Sequence, residues 1–203
     1  MILILNCGTG NFLSVARMIN AAGGKSFFGA SHSDIEKASK IILPGVGNFD
    51  NGIKAIELAS IKEKIIQKAN YENIPILGIC LGMHLLCRSS EEGILPGLGL
   101  INANVKKFNF SLNKNLKIPH MGWNMVKPIK NNPLIPYTTE EQRFYFVHSY
   151  KVVLDDMNFL IGSTNYGEDF CSAFQKNNIF GIQFHPEKSH KFGLSLMKRF
   201  VEL

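Results

Sequence analysis

Ile74-Pro75-Ile76-Leu77-Gly78-Ile79-Cys80-Leu81-Gly82-Met83 is the stretch on which the reading of this chain turns. An apolar run of strand length leads into a glycine-flanked cysteine, and Met83, Leu85 and Leu86 follow as a helical stretch. Strand, tight turn and helix in that order are the setting of a G-x-nucleophile-x-G elbow, which exposes its middle side chain. The flanking glycines are needed because the turn brings neighbouring backbone close, where a side chain would clash. A sulfur at the start of a helix meets the positive end of the helix dipole, which favours the thiolate. The backbone N–H of Leu81 is then offered to a developing oxyanion.

Working outward, 1–6 (MILILN) and 40–45 (KIILPG) repeat the pattern of apolar run and glycine-rich break, as strands buried on both faces of a sheet do. Phe12, Val15, Ala16 and Ile19 recur on one helical face after a Gly8–Gly10 turn. Ser60 and Glu63 have the form of a capping box, which predicts a second helix carrying Ile61, Ile65 and Ala69. Strand and helix alternate, so the first half reads as a parallel α/β sheet. The second half changes character: 144–153, 159–167 and 171–184 are strand-rich, and Asn177-Asn178 suits a hairpin turn. From Ser189 onward, Phe192, Leu196 and Phe200 predict a C-terminal helix packed on the sheet, while 109–117 and 127–142 read as surface loops. The expected fold is a single α/β domain over 1–203, with an open, mostly parallel central sheet flanked by helices and an antiparallel, strand-rich C-terminal half.

Composition narrows the classes of function. The 203 residues suffice for a full core, and no run approaches a membrane span or a signal peptide. Cys7, Cys80, Cys87 and Cys171 show neither CxxC pairing nor zinc-like spacing, which points to a reducing cytoplasm and to thiols; neither metal nor cofactor is expected. The formal net charge of +6 comes from scattered residues, so a solvated lysine-rich surface is expected in place of a nucleic-acid footprint. Gly8-Thr9-Gly10 fails the dinucleotide spacing at Leu13.

A thiol nucleophile needs a base. Of His32, His84, His120, His148, His185 and His190, His185 stands out, because it ends the apolar run 180–184 and Pro186 turns the chain out of the sheet there. Glu187 is placed to accept from one ring nitrogen, leaving the other for Cys80. Leu43-Pro44-Gly45-Val46-Gly47 ends another strand with glycines that let backbone amides approach a ligand, the second half of an oxyanion hole. His120, Trp123 and His148 taken by themselves read as packing residues.

Taken together, LPGVGNF, LGICLGM, FYFVHSY and IQFHPEKS, in this order, resemble the class I (triad) glutamine amidotransferases, and the resemblance runs from about residue 4 to about residue 201. Within that class GTGN near the start, SSEEG at 89–93 and IPHMGWN at 118–124 resemble the glutaminase subunits of imidazole glycerol phosphate synthase. The resemblance implies that Cys80 attacks the γ-carboxamide of glutamine, that His185 and Glu187 complete the triad, and that a γ-glutamyl thioester is hydrolysed to glutamate after ammonia leaves. It implies Gly47 and Leu81 at the carbonyl oxygen and the Ser149-Tyr150 backbone at the amino-acid end of glutamine. It further implies a (β/α)8-barrel cyclase partner that receives the ammonia, met by a face that includes Trp123 and Lys188. One position departs from the pattern: His84 stands where the family has a substrate-contacting glutamine. That departure keeps open a related subunit that feeds a cyclase-like synthase in surface-sugar amination. A stand-alone cysteine hydrolase and a catalytically silent binding module are the remaining readings.

Overall fold

The computed structural model describes residues 1–6, 10–110, 116–138 and 140–203. Strand and helix alternate through the first half: β1 (Ile2–Leu5), α1 (Phe12–Ala21), β2 (Ser26–Gly29), α2 (His32–Lys37), β3 (Lys40–Leu43), α3 (Phe49–Leu58), α4 (Lys62–Asn70), β4 (Ile76–Ile79) and α5 (Leu81–Leu85). The second half is mostly strand: β5 (Ser89–Ser90), β6 (Ala103–Lys107), β7 (His120–Met125), β8 (Lys127–Pro128), β9 (Arg143–His148), β10 (Tyr150–Leu154), β11 (Leu160–Asn165), β12 (Asp169–Lys176) and β13 (Ile179–Ile182). Helix α6 (His190–Glu202) closes the chain.

Eleven strands form one sheet in the order β2-β1-β3-β4-β13-β12-β10-β6-β5, with β11 on β12 and β8 on β11. The first five of that order run parallel. From β13 to β6 the pairing is antiparallel. β7 and β9 form a separate antiparallel pair. The fold is therefore α/β with a parallel core sheet and an antiparallel second half, as the alternating and then strand-rich sequence predicts.

Period-two alternation in the parallel strands builds two cores. Leu3, Leu5 and Ile41 pack on one side with Ile53, Ile56 and Ile65 of α3 and α4. Ile2, Ile4 and Ile42 pack on the other with Val15 and Ile19 of α1 and with Leu196, Met197 and Phe200 of α6. Both faces are covered, which is why these strands lack a polar side. No helix among the described residues is long and apolar enough to cross a membrane.

Two expectations need correction, and two lie partly outside the described residues. Ser60 does not cap a helix: it has a φ of 55°, and α4 starts at Lys62 with Ile61 at its N-cap and no side-chain cap. The capping box of this region belongs to Ser31 and Asp34 at α2. The 127–142 segment is not wholly a surface loop, because β8 pairs with β11, and Leu134 and Ile135 are fully buried. The stretch 144–153 is strand-rich as expected, divided into β9 and β10, which separate at Ser149 into different sheets. Gly8 and Thr9 of the expected first turn, and 111–115 of the expected 109–117 loop, fall outside the described residues.

The turn from β4 into α5 packs directly on β3. A Cβ on Gly82 would sit 1.8 Å from the Leu43 carbonyl oxygen, a clash that only backbone displacement relieves. Gly82→Ala is expected to lower unfolding stability by about 3 kcal/mol or more. Urea denaturation checks this as a drop in midpoint at unchanged slope.

Candidate active site

The registers Leu43↔Gly78 and Ile79↔Ile182 bring the chain leaving β3, β4 and β13 to one end of the parallel sheet. Loops at such strand ends are where open α/β sheets bind ligands. Cys80 follows β4 immediately and adopts φ 52°, ψ −107°, a region that a side-chain-bearing residue occupies only under strain. Two backbone bonds hold it there: Cys80 N–H donates to Ile182 O at 2.8 Å, and His84 N–H donates to Cys80 O at 3.3 Å. Helix α5 has only five residues, so the dipole behind the sulfur is weaker than a long helix would supply. Direct contacts surround the sulfur as well. Cys80 Sγ lies 3.9 Å from the Val147 carbonyl, and Gln183 Nε2 donates to it from 3.8 Å.

His185 is fixed by β9. Its N–H donates to Tyr145 O at 2.9 Å, while Ser189 Oγ accepts from Tyr145 N–H and donates to His185 O. The ring Nδ1–H donates to Glu187 Oε1 at 2.8 Å, and both side chains are buried. That bond sets the tautomer. Nε2 is buried and makes no hydrogen bond of good geometry, and it is left to the cysteine. Burial alone would lower the imidazole pKa; interaction with Cys80 and with Glu187 outweighs it and raises the ring to about 10. The imidazolium is thus the favoured form.

A cavity of about 270 Å³ opens over the sulfur, lined by Val46 and Gly47, Cys80, Leu81, His84, Glu92, the 147–150 strip and His185. This is below the drug-sized range of about 300–1,000 Å³ and suits a small polar metabolite. A larger cavity of about 440 Å³ between the 136–142 region and α6 shares no described lining residue with the one over the thiol, and no cysteine or histidine is among its described lining. Gly47 has a φ of 108°, which glycine alone adopts freely, so the 45–47 backbone can turn towards the cavity. Among the described residues no group of three or more His, Cys, Asp or Glu is placed to hold a metal ion.

Cys80, His185, Glu187, Gly47, Leu81, His84, Ser149 and Tyr150 therefore all converge. His84 lines the cavity, but its Nε2 is engaged with Gln183 Oε1 at 2.8 Å, and burial lowers its pKa to about 4. Three contributors escaped the reading of single residues. Glu92 supplies the one carboxylate among the described residues that line the cavity, and burial raises its pKa. Gln183 is wholly buried against the thiol; a polar side chain inside the apolar run 179–184 was its signal. His148, which resembled a packing residue, lines the cavity. Trp123 and Lys188 lie apart. Trp123 is about half exposed and stacks on His190, while Lys188 reaches over the Tyr145 ring.

Comparison with known proteins matches residues 3–203 to the family Glutamine amidotransferase class-I. The chain belongs to that family. This glutamine amidotransferase is 49% identical over 202 residues to "Imidazole glycerol phosphate synthase subunit HisH 2" of Methanococcus maripaludis, covering 100% of this chain and 99% of that one. It is 43% identical over 203 residues to the subunit of the same name in Pseudomonas aeruginosa, covering 100% of both. To subunit HisH 1 of M. maripaludis it is 41% identical over 211 residues, again covering 100% of both. Among solved structures, a putative GMP synthase protein from Thermoplasma acidophilum superposes with a TM-score of 0.73 at 20% identity, covering 99% of this chain and 92% of that one, a likeness of fold.

The His185–Glu187 pair, together with the Cys80 contact that raises the ring pKa more, makes the stability of this amidotransferase depend on pH. With the folded pKa above the usual 6.5, the folded state holds more protons than the unfolded one between about 6.5 and 10. The pair's contribution is full below that window and is lost as pH rises through it, at up to about 1.4 kcal/mol per pH unit. Glu187→Gln removes one of the two raising contacts and is expected to flatten part of this decline, checked by denaturation midpoints from pH 6 to 10.

Proposed function

We propose that the whole chain acts as one glutaminase domain, the ammonia-producing subunit of an imidazole glycerol phosphate synthase, with Cys80, His185 and Glu187 as its catalytic triad. The observation that carries the reading is the strained Cys80 elbow facing a buried His185–Glu187 pair at the floor of a small cavity. The full-length similarity to subunits named for that synthase supports it.

Glutamine enters with its γ-carboxamide over Cys80. The sulfur attacks the carbonyl carbon, and the N–H groups of Leu81 and of the Gly47 region receive the negative charge on oxygen. His185, held as imidazolium by Glu187, gives its Nε2 proton to the departing nitrogen, so ammonia leaves and a γ-glutamyl thioester remains. Water then attacks the thioester while His185 takes its proton; glutamate departs and the thiol is restored. The Glu92 carboxylate faces the α-ammonium of glutamine, and the Ser149-Tyr150 backbone faces its amino-acid end. No bound cofactor enters this sequence, and the free thiol fits a reducing cytoplasm.

Ammonia released at Cys80 needs an acceptor. We assign that role to a (β/α)8-barrel cyclase subunit docking on the β7 face, where Met121, Trp123 and Met125 project outward at period two with Lys188 beside them. One observation favours a second reading. His84 stands where the family has a substrate-contacting glutamine, which suits a related subunit serving a cyclase-like synthase in surface-sugar amination.

Cys80→Ser is expected to cut glutamate release by at least about a thousandfold. Glu92→Gln is expected to raise KM for glutamine about tenfold or more, with kcat held within about twofold, the loss of a charge-assisted contact. Steady-state assays with the chain's own cyclase present check both, and Trp123→Ala tests the docking face through lost stimulation. Stimulation by the histidine-pathway cyclase supports the first reading; stimulation only by a surface-sugar synthase moves the chain to the second.

A further inference from the structure

A continuous hydrogen-bond chain joins β7 to the wall of the cavity. His148 Nδ1 lies 2.7 Å from Tyr150 O, His120 Nδ1 lies 2.9 Å from His148 Nε2, and Asn124 Nδ2 lies 3.2 Å from His120 Nε2. Its direction follows from its ends. A carbonyl oxygen only accepts, so His148 donates from Nδ1. At the other end the Asn124 amide cannot be turned over, because its Oδ1 accepts from Met125 N–H at 2.8 Å and its Nδ2 donates to Asn165 O at 2.9 Å. Its remaining N–H meets His120 Nε2, which leaves His120 to donate from Nδ1. His148 Nε2 therefore accepts from His120, so both rings are neutral and in the Nδ1–H form, in agreement with the Tyr150 end.

The packing preserves that arrangement. His120 is sandwiched between Phe146 at 4.8 Å and Tyr166 at 4.1 Å, and His148 lies between Phe108 and Phe170. Both histidines are buried, and burial holds both pKa values below the usual range, His120 at about 4. Val147, His148, Ser149 and Tyr150 all line the cavity, and the Val147 carbonyl touches the thiol. β7 alternates, so His120 and Asn124 point inward while Met121, Trp123 and Met125 point to solvent.

We propose that Asn124, His120 and His148 are positioning residues for glutamine: their one-way chain holds the 147–150 strip in its substrate-receiving position and ties glutamine affinity to the position of β7. The kinetic part rests on the glutaminase reading above, whereas the direction of the chain is independent of it. Because Tyr150 is held through its carbonyl, loosening the chain moves the strip that receives the amino-acid end of glutamine and leaves the Cys80–His185–Glu187 contacts in place.

Two measurements on the chain with its cyclase test this. Long-range ¹H–¹⁵N correlation of the histidine rings is expected to place His120 and His148 in the Nδ1–H form, neutral at pH 6; the Nε2–H form or an imidazolium at either ring overturns the direction of the chain, whether or not the protein hydrolyses glutamine. In kinetics, His120→Leu is expected to raise KM for glutamine about tenfold with kcat within about twofold, and Asn124→Leu to act in the same sense. His120→Gln, which keeps a donor for His148, is expected to recover most of the loss. An unchanged KM in both leucine variants, or a fall in kcat at constant KM, overturns the positioning role.

Discussion

The pairing of β4 with β13 is the constraint on which the rest of this molecule depends. These strands are distant in sequence, yet they run parallel with Ile79 opposite Ile182, and the Cys80 N–H closes on the Ile182 carbonyl. That one register carries the cysteine and the Gln183–His185 segment out of the sheet side by side. It also explains how a strained residue persists at Cys80: its φ of 52° is over-determined by a ladder bond on one side and the tightly packed Gly82 turn on the other. A slip of one residue would turn every side chain of β13 to the opposite face and dissolve both cores.

Around this pairing the second half of the chain works as a clamp. β9 leaves the main sheet with β7, bridges to His185 through Tyr145, and brings Val147 against the thiol, and β10 then returns to the sheet. The break at Ser149 between the two sheets is therefore where the cavity wall forms. The thiol, the imidazole and the substrate wall are thus positioned by three separate backbone contacts, each made to a part of the chain far from the cysteine in sequence.

Much of this was legible because short-range chemistry carried it. The elbow at Gly78–Gly82, the strand end at His185 and its partner Glu187 are local patterns, and each local preference agrees with the fold around it. The misses are non-local. Ser60 and Glu63 satisfied a capping pattern, but tertiary packing starts α4 two residues later and leaves Ser60 in a left-handed turn. Leu134 and Ile135 sat in a polar, proline-containing stretch, and nothing local says that they are covered by the sheet and α6. His148 and His120 read as packing residues, and both are buried; what a single sequence does not display is which cavity or which ring each meets.

The central claim, that Cys80 carries the γ-glutamyl group, is tested most directly by acid-quenching the chain during turnover of glutamine with its cyclase and mapping the adduct by mass spectrometry. The account predicts one γ-glutamyl group per chain, on the peptide containing Cys80. Glutamate formed with no adduct, or an adduct carried by Cys87 or Cys171, would contradict it.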